Sequence, residues 1–179
     1  MTLISLSGVP GTGKSTVANI LRLRGFIVHD INAIVIEHGL VLGTDKKRGS
    51  KDVDIPKLRR LAKGLDIGGN LVFLEGHLSH LLPVHRCIVL RCHPDILRRR
   101  LKARRWPPAK VRENLEAEAM GVITQECLDA RSDCYEIDVS NIKPDDVASL
   151  VHRLARSKRG LSGYRPGKID YFEEILKWY

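Results

Sequence analysis

The chain has 179 residues, 43% of them hydrophobic, and 30 basic against 21 acidic side chains give a formal net charge of +9. That is about one domain with a full hydrophobic core, and the charge speaks of partners such as nucleotides, RNA or an acidic protein surface, not of fold. No apolar run approaches the roughly 18 residues of a membrane span, and the first residues lack the basic-then-apolar pattern of a secretion signal, so no membrane partner and a cytoplasmic location are expected.

An apolar strand, Leu3-Ile4-Ser5-Leu6, opens the chain and runs into Gly8-Val9-Pro10-Gly11-Thr12-Gly13-Lys14-Ser15-Thr16, which fits the G-x-x-x-x-G-K-[ST] phosphate-binding pattern in full. A polyphosphate needs several backbone N–H donors converging on its oxygens, and residues without a Cβ at 8, 11 and 13 let the backbone wrap that closely. Lys14 is placed to reach the β and γ phosphates, Ser15 to complete the coordination of Mg²⁺, and Thr16 to contact the α phosphate. Gly8, Gly11, Thr12, Gly13, Lys14, Ser15 and Thr16 are therefore the expected ATP-binding loop. The pattern has meaning only between a strand and a helix, and Val17 to Arg24 reads as a helix ending at Gly25.

Phe26 to Asp30 reads as the second strand and Ile31 to Gly39 as a short apolar helix stopped by glycine. Residues 43–54 are polar and glycine-bearing, which predicts a solvated loop of the lid or binding type. A helix is expected over about 55–67, buried strands over 70–75 and 86–91, and a helix from Pro94 to about Arg104, where Trp106-Pro107-Pro108 interrupts it. Val111, Leu115, Ala119, Val122, Ile123 and Leu128 then mark one long helix over about 110–130, followed by a strand at 135–139 and a helix from Pro144 to about Ser157. Strands alternate with helices throughout, which predicts an α/β fold: a five-stranded parallel sheet covered by helices on both faces, with the ligand at the carboxyl ends of the strands. Cys87, Cys92, Cys127 and Cys134 form no C-x-x-C pair and read as buried thiols.

A magnesium nucleotide site needs a second acidic group at a neighbouring strand end, and Glu75, after four apolar residues, is the candidate. Gly76 and His77 follow, so carboxylate and imidazole emerge together; a loop histidine bonded to backbone is the alternative for His77. Between Arg98 and Arg112 there are eight basic residues and no acid. Phosphoryl transfer spreads negative charge over the moving group, and an arginine carried by a closing lid is worth roughly 10³ to 10⁵ in rate. Arg98 to Lys102 read as a solvated helix face or an RNA-facing patch, whereas Arg104 and Arg105, nearest the Pro-Pro interruption, are the candidates for that role.

Four features together resemble the adenylate kinase family, and within it the short-lid class of isoenzyme six type, a nuclear or archaeal assembly factor of the small ribosomal subunit. They are the loop from Gly8 to Thr16, Glu75-Gly76-His77 in place of Asp-x-His, Leu101 to Trp106 running on to Lys110 and Asn114, and Tyr135 to Asp138 with the turn Ser140-Asn141-Ile142-Lys143-Pro144. The resemblance implies a P-loop NTPase three-layer αβα fold of nucleoside monophosphate kinase type. It implies one domain over 1–179, with a monophosphate-binding segment at about 30–53, a short lid at about 103–113 and a C-terminal extension at 160–179. The implied reaction is phosphoryl transfer from ATP to AMP or another nucleoside monophosphate with Mg²⁺, with ATP hydrolysis as a side or working activity. Catalytic roles then fall to Lys14, Arg104 and His77, metal binding to Ser15 and Glu75, and adenine contact to Asn141 and Ile142. A monomer is expected, and a small-subunit ribosomal protein and pre-rRNA are the implied partners.

The chain departs from that family in three places. Glu75 replaces aspartate. Ile36 stands where relatives tend to carry an arginine for the monophosphate, so that contact falls to Lys46, Lys47, Arg48, Arg59 or Arg60, or is missing, which favours hydrolysis. In the extension, Ile169, Phe172, Ile175, Leu176 and Tyr179 fall near helical spacing, as a helix packed on its own domain or one that docks on a partner. A P-loop kinase acting on another small metabolite is the remaining reading.

Overall fold

A computed structural model describes residues 2–45, 50–65, 71–130, 133–157 and 161–178. Short runs of Val, Ile, Leu and Phe form β1 (Thr2–Ser7), β2 (Ile27–Asp30), β5 (Leu71–Glu75), β6 (Arg86–Arg91) and β7 (Cys134–Asp138). They pair in the order β2-β5-β1-β6-β7, and every pairing is parallel. Parallel strands joined by helical crossovers are covered on both faces, which is why β5 and β6 are apolar without alternation, while β1 buries Ser5 and Ser7 between its aliphatic residues.

Among the described residues the α-helices are α1 (Lys14–Leu23), α2 (Ile31–Glu37), α3 (Ile55–Gly64), α4 (Pro94–Ala103), α5 (Pro108–Ala119), α6 (Val122–Ala130), α7 (Pro144–Arg156) and α8 (Phe172–Leu176). On one face Ile4, Leu6, Phe73, Ile88 and Leu90 pack with Val17, Leu21, Leu97, Leu101, Leu115, Val151 and Leu154. On the other, Leu3, Val72, Leu74 and Val89 pack with Ile34, Val35, Leu58 and Cys127. Each such fully buried aliphatic side chain contributes roughly 1.5–3 kcal/mol. All four cysteines are free and buried, as their apolar neighbours implied.

Three elements differ from expectation. The segment read as a solvated loop contains an antiparallel hairpin, β3 (Val41–Asp45) with β4 (Ser50–Val53), whose alternation is hidden because both strands lie off the main sheet and bury little. The long helix over 110–130 is two helices: Gly121 adopts φ 64, a left-handed conformation that ends α5 and lets α6 leave at a new angle. Among the described residues of the extension only Phe172–Leu176 is α-helical, and Phe172 and Leu176 are exposed, so the expected apolar stripe is not the packed face. Tyr171 and Trp178 turn inward instead. Ile67, Asn70, Gly160 and Tyr179, assigned to element ends or to the tail, lie outside the described residues, as do Lys46, Lys47 and Arg48.

A buried ionic cluster binds the far edge of the sheet to the helices and the tail. Arg91 Nε donates to Glu118 Oε1 at 2.8 Å, Nη2 donates to the Glu118 carbonyl at 2.8 Å, and Nη1 donates to Glu136 Oε1. Thr124 Oγ1 adds a bond to Glu136 at 2.6 Å, and the Gly167 N–H reaches the other Glu136 oxygen at 3.3 Å. The guanidinium also lies over the Tyr171 ring, 5.6 Å from its centroid. Truncating the arginine strands two buried carboxylates, so Arg91→Met is expected to cost about 3–5 kcal/mol, read as a lowered urea midpoint. A shift below about 1 kcal/mol would show that the carboxylates find water instead.

Candidate active site

The carboxyl ends of β1, β2 and β5 meet at one edge of the sheet, with Leu6 opposite Glu75 and Asp30 opposite Glu75 in register. The phosphate loop leaves β1 there. Gly8, Gly11 and Gly13 have φ of 140°, 94° and 98°, a run of positive values that only glycine takes without strain. Added side chains would also collide: a Cβ on Gly8 falls 2.5 Å from the Leu90 carbonyl oxygen, and one on Gly11 falls 2.8 Å from Leu97. Gly13 is the N-cap of α1 and no side chain caps that helix, so its first N–H groups are left to an anion. Thr12 is buried and donates to the Val9 carbonyl at 3.0 Å, which stiffens the loop from inside.

Lys14 is folded into this loop, Nζ donating to the carbonyls of Gly8 at 2.7 Å and Val9 at 3.0 Å. Burial lowers its pKa to about 8, against the opposing charges of Glu75 and Glu118. Ser15 Oγ donates to Glu75 Oε1 at 3.2 Å. Glu75 is itself buried; desolvation raises its pKa, Lys14 opposes the rise, and Asp30 adds to it. Ser15, Glu75 and Asp30 thus bring only hard oxygen donors to one strand edge, the donor set that suits Mg²⁺. The sequence places Asp30 only at the start of the 30–53 segment, because its closeness to Glu75 follows from β2–β5 pairing; its side chain also caps α2 by accepting from the Asn32 and Ala33 N–H groups.

A cavity of about 450 Å³ runs from the loop to the start of α7, lined by Gly11, Thr12, Gly13, Thr16, Val17, Arg100, Arg104, Val139, Ile142, Pro144 and Val147 among others. The expected residues Thr16, Arg104 and Ile142 face this space together; Asn141 is exposed and stands outside the lining. His77 is exposed on the turn after β5. Arg105, also a candidate, holds φ 55° just past the end of α4 and does not line the cavity.

The assignment of Arg98 to Lys102 to a solvated or RNA-facing patch is corrected for two residues. Arg100 is half-buried, lines the cavity, and donates from Nη1 to the Gly11 carbonyl at 3.4 Å. Arg98 lies over the Trp178 ring, 4.8 Å from its centroid. Helical spacing held the signal for Arg100, since it and Arg104 are four residues apart and share a face. Arg99 and Lys102 are exposed, as expected.

A Lys14 pKa lowered from 10.5 to about 8 makes burial of the ammonium a cost to folding below pH 8, relieved as pH rises toward 10.5. A triphosphate beside the amine restores the charge. At about pH 9, binding of a nucleoside triphosphate is expected to take up about one proton, read by calorimetry in buffers of different ionisation enthalpy, and Lys14→Met is expected to take up none. Equal uptake by the variant would assign the proton to another group.

A family model described as an AAA domain matches residues 4–121. The chain is 42% identical over 174 residues to a protein of Archaeoglobus fulgidus named "Putative adenylate kinase", covering 97% of this chain and 93% of that one. A like-named protein of Methanothermobacter thermautotrophicus is 38% identical, with 97% and 99% covered. One from Methanocaldococcus jannaschii is 34% identical, with 98% and 96% covered. Among solved structures, shikimate kinase from Bacteroides thetaiotaomicron superposes with a TM-score of 0.51 at 19% identity, over 86% of this chain and 95% of that one. TT1252 from Thermus thermophilus gives 0.56 at 23%, over 88% and 98%. At those identities the likeness is one of fold. Matched along nearly its whole length by the archaeal proteins, the chain belongs to their family, the adenylate kinase-like P-loop proteins.

Proposed function

We propose that the protein is a nucleoside monophosphate kinase that transfers the γ-phosphoryl group of ATP to AMP, giving two ADP. The observation that carries this is the single cavity joining the phosphate loop to an apolar slot formed by Val17, Val139, Ile142 and Pro144, with Arg100 and Arg104 on its wall. A purine fits the slot, the triphosphate follows the loop amides, and the two guanidiniums stand where charge collects on the transferring group. The names of the archaeal relatives support the same reading.

In this reading the loop amides and Lys14 hold the β and γ phosphates, Lys14 exchanging the Gly8 and Val9 carbonyls for phosphate oxygens. Ser15 and Glu75, with Asp30 beside them, would hold Mg²⁺ directly or through water; bound there, it would neutralise the phosphate oxygens. Arg104, at the end of α4, stabilises the moving phosphoryl, Arg100 ties that helix to Gly11, and His77 orients water or metal ligands. No general base is needed, because a monophosphate oxygen is already a competent nucleophile. The segment from α2 through the β3–β4 hairpin forms the acceptor side.

ATP hydrolysis is the second reading, supported by Ile36 and Arg59; Arg60 is exposed, and Lys46, Lys47 and Arg48 lie outside the described residues. Ile36 is exposed where an arginine would grip the monophosphate, and Arg59 Nε is engaged by the Leu81 carbonyl at 2.7 Å. A chain of this kind would use hydrolysis to time an assembly step of the small ribosomal subunit, with a ribosomal protein or pre-rRNA as partner. That finer reading rests on the resemblance and on the +9 charge.

ADP and inorganic phosphate formed from Mg-ATP, with and without AMP and with Lys14→Ala as the blank, separate the two activities. Two ADP per ATP, without phosphate and only when AMP is present, is the expected result; phosphate release indifferent to AMP would replace the kinase reading with the ATPase one. Arg104→Ala is expected to lower kcat by about 100-fold or more while ATP affinity changes by less than about 10-fold. Equal losses in binding and rate would remove Arg104 from the transition state.

A further inference from the structure

A chain of polar side chains runs through the layer behind the phosphate loop, and no step above uses it. Ser5 and Ser7 alternate with Ile4 and Leu6 along β1, so they face the opposite side of the sheet from those two residues. Both are fully buried. Ser5 Oγ lies 2.7 Å from Ser79 Oγ, which also lies within bonding distance of the Gly76 carbonyl at 2.8 Å. Ser7 Oγ lies 3.0 Å from His80 Nδ1 and 3.4 Å from the His77 carbonyl oxygen. His80 Nε2 lies 2.9 Å from Glu126 Oε2, and while the imidazole is 1% exposed, the Glu126 side chain is 49% exposed. Two serines of the strand that feeds the loop therefore grip the turn that carries His77, and the grip ends on a carboxylate of α6 at the surface.

Chemistry fixes the direction of these bonds. An ionised carboxylate only accepts, so Nε2 carries the proton, and in the neutral ring Nδ1 is left to accept the Ser7 hydroxyl. Burying a hydroxyl and an imidazole costs desolvation that an aliphatic pair would not incur, and what the polar pair adds is direction. The groups facing the ring are Ser7 from β1, His77 on its own turn and Glu126 from α6.

We propose that His80 is a positioning residue: bridging Ser7 and Glu126, it locks the Gly76–Leu81 turn, and with it His77, against the strand that enters the phosphate loop. The inference rests on the reading of this edge as the phosphoryl-transfer site. Glu126 is the arm best suited to a test, because it is half outside the protein and belongs to neither the loop nor the cavity lining.

Glu126→Ala releases the ring, whereas Glu126→Gln keeps an amide oxygen to accept the Nε2 proton. Glu126→Ala and Ser7→Ala are expected to lower kcat for ADP formation by about 10- to 100-fold while KM for ATP changes by less than about 3-fold, and Glu126→Gln is expected to keep at least about half of kcat. His80→Ala is expected to match the alanine variants; should it not fold, the Ser7 and Glu126 variants carry the test. Amide resonances supply a readout independent of turnover: in Glu126→Ala those of Gly8, Gly76 and His77 are expected to move, while those of Leu3 and His85 at the opposite end of the strands stay. Wild-type kcat in Glu126→Ala, changes confined to α6, or Glu126→Gln falling as far as Glu126→Ala would each overturn the proposal. Failure of the kinase reading looks different: wild-type protein makes no ADP from ATP and AMP, while the resonances still report whether the bridge reaches the loop.

Discussion

The structure depends on a cation held inside a loop of its own backbone. The Lys14 ammonium sits under the carbonyls of Gly8 and Val9, at the first turn of α1, with the Glu75 carboxylate close enough to oppose its loss of charge. The loop wraps around that ammonium and still leaves Gly11, Thr12 and Gly13 lining the cavity, a path that requires the positive φ of Gly8, Gly11 and Gly13. Close contact of Gly8 with the Leu90 carbonyl and of Gly11 with Leu97 and Leu101 then fixes how near β6 and α4 can come. The position of α4, and so of Arg100 and Arg104, follows from the packing of the phosphate loop.

The sheet edge beyond β6 is held by different means. Arg91 directs its donors to Glu118 and Glu136, linking α5 and β7 to β6, and burial pushes Glu118 up to about 7 against the pull of that guanidinium. The tail uses the same cluster as its anchor. Arg165 pairs with Asp133 at 3.2 Å and lies over Tyr135, Gly167 reaches Glu136, and Tyr171 packs beneath Arg91 and edge-on to His93. Trp178 then meets Arg98 of α4. The extension is thus bound to its own domain by specific cation–ring and ionic contacts, and it ends against the helix that carries the cavity arginines.

Two regions around the candidate site are built to different standards. The proposed donor side is closely bonded: buried serines, a lysine satisfied by two carbonyls, and the Ser7–His80–Glu126 bridge behind them. The proposed acceptor side, α2 with the β3–β4 pair that follows, exposes Ile36 and Leu42 while Ile31, Ile34 and Val35 pack into the core, and Arg59 of α3 donates to the Leu81 carbonyl. In the function proposed above, the exposed Ile36 and Leu42 suit an acceptor that shapes its own half of the pocket on arrival, and equally water in the acceptor's place.

The residues Gly8 to Thr16 were legible from the sequence because the loop's geometry is local: its φ angles, N–H directions and following helix are set within nine consecutive positions. Glu75 was legible because a carboxylate ending a buried strand has few places to go, and the parallel sheet because apolar runs alternated with helical periods. What the sequence could not decide were relations between distant segments. Asp30 meets Glu75 through β2–β5 register, and Arg100 acquires its place from the approach of α4 to Gly11. The hairpin at 41–53 escaped because its strands pair with each other off the main sheet and only Val41 and Val53, at its base, pack against the core, and the break at Gly121 escaped because apolar residues continued across it. The bridge from Ser7 to Glu126 spans three elements, and each of its residues alone reads as unremarkable. Chemistry carried by contiguous residues was determined by the sequence alone; chemistry assembled across strands and helices was decided by packing, since only burial fixes which side chains are left with no partner but each other.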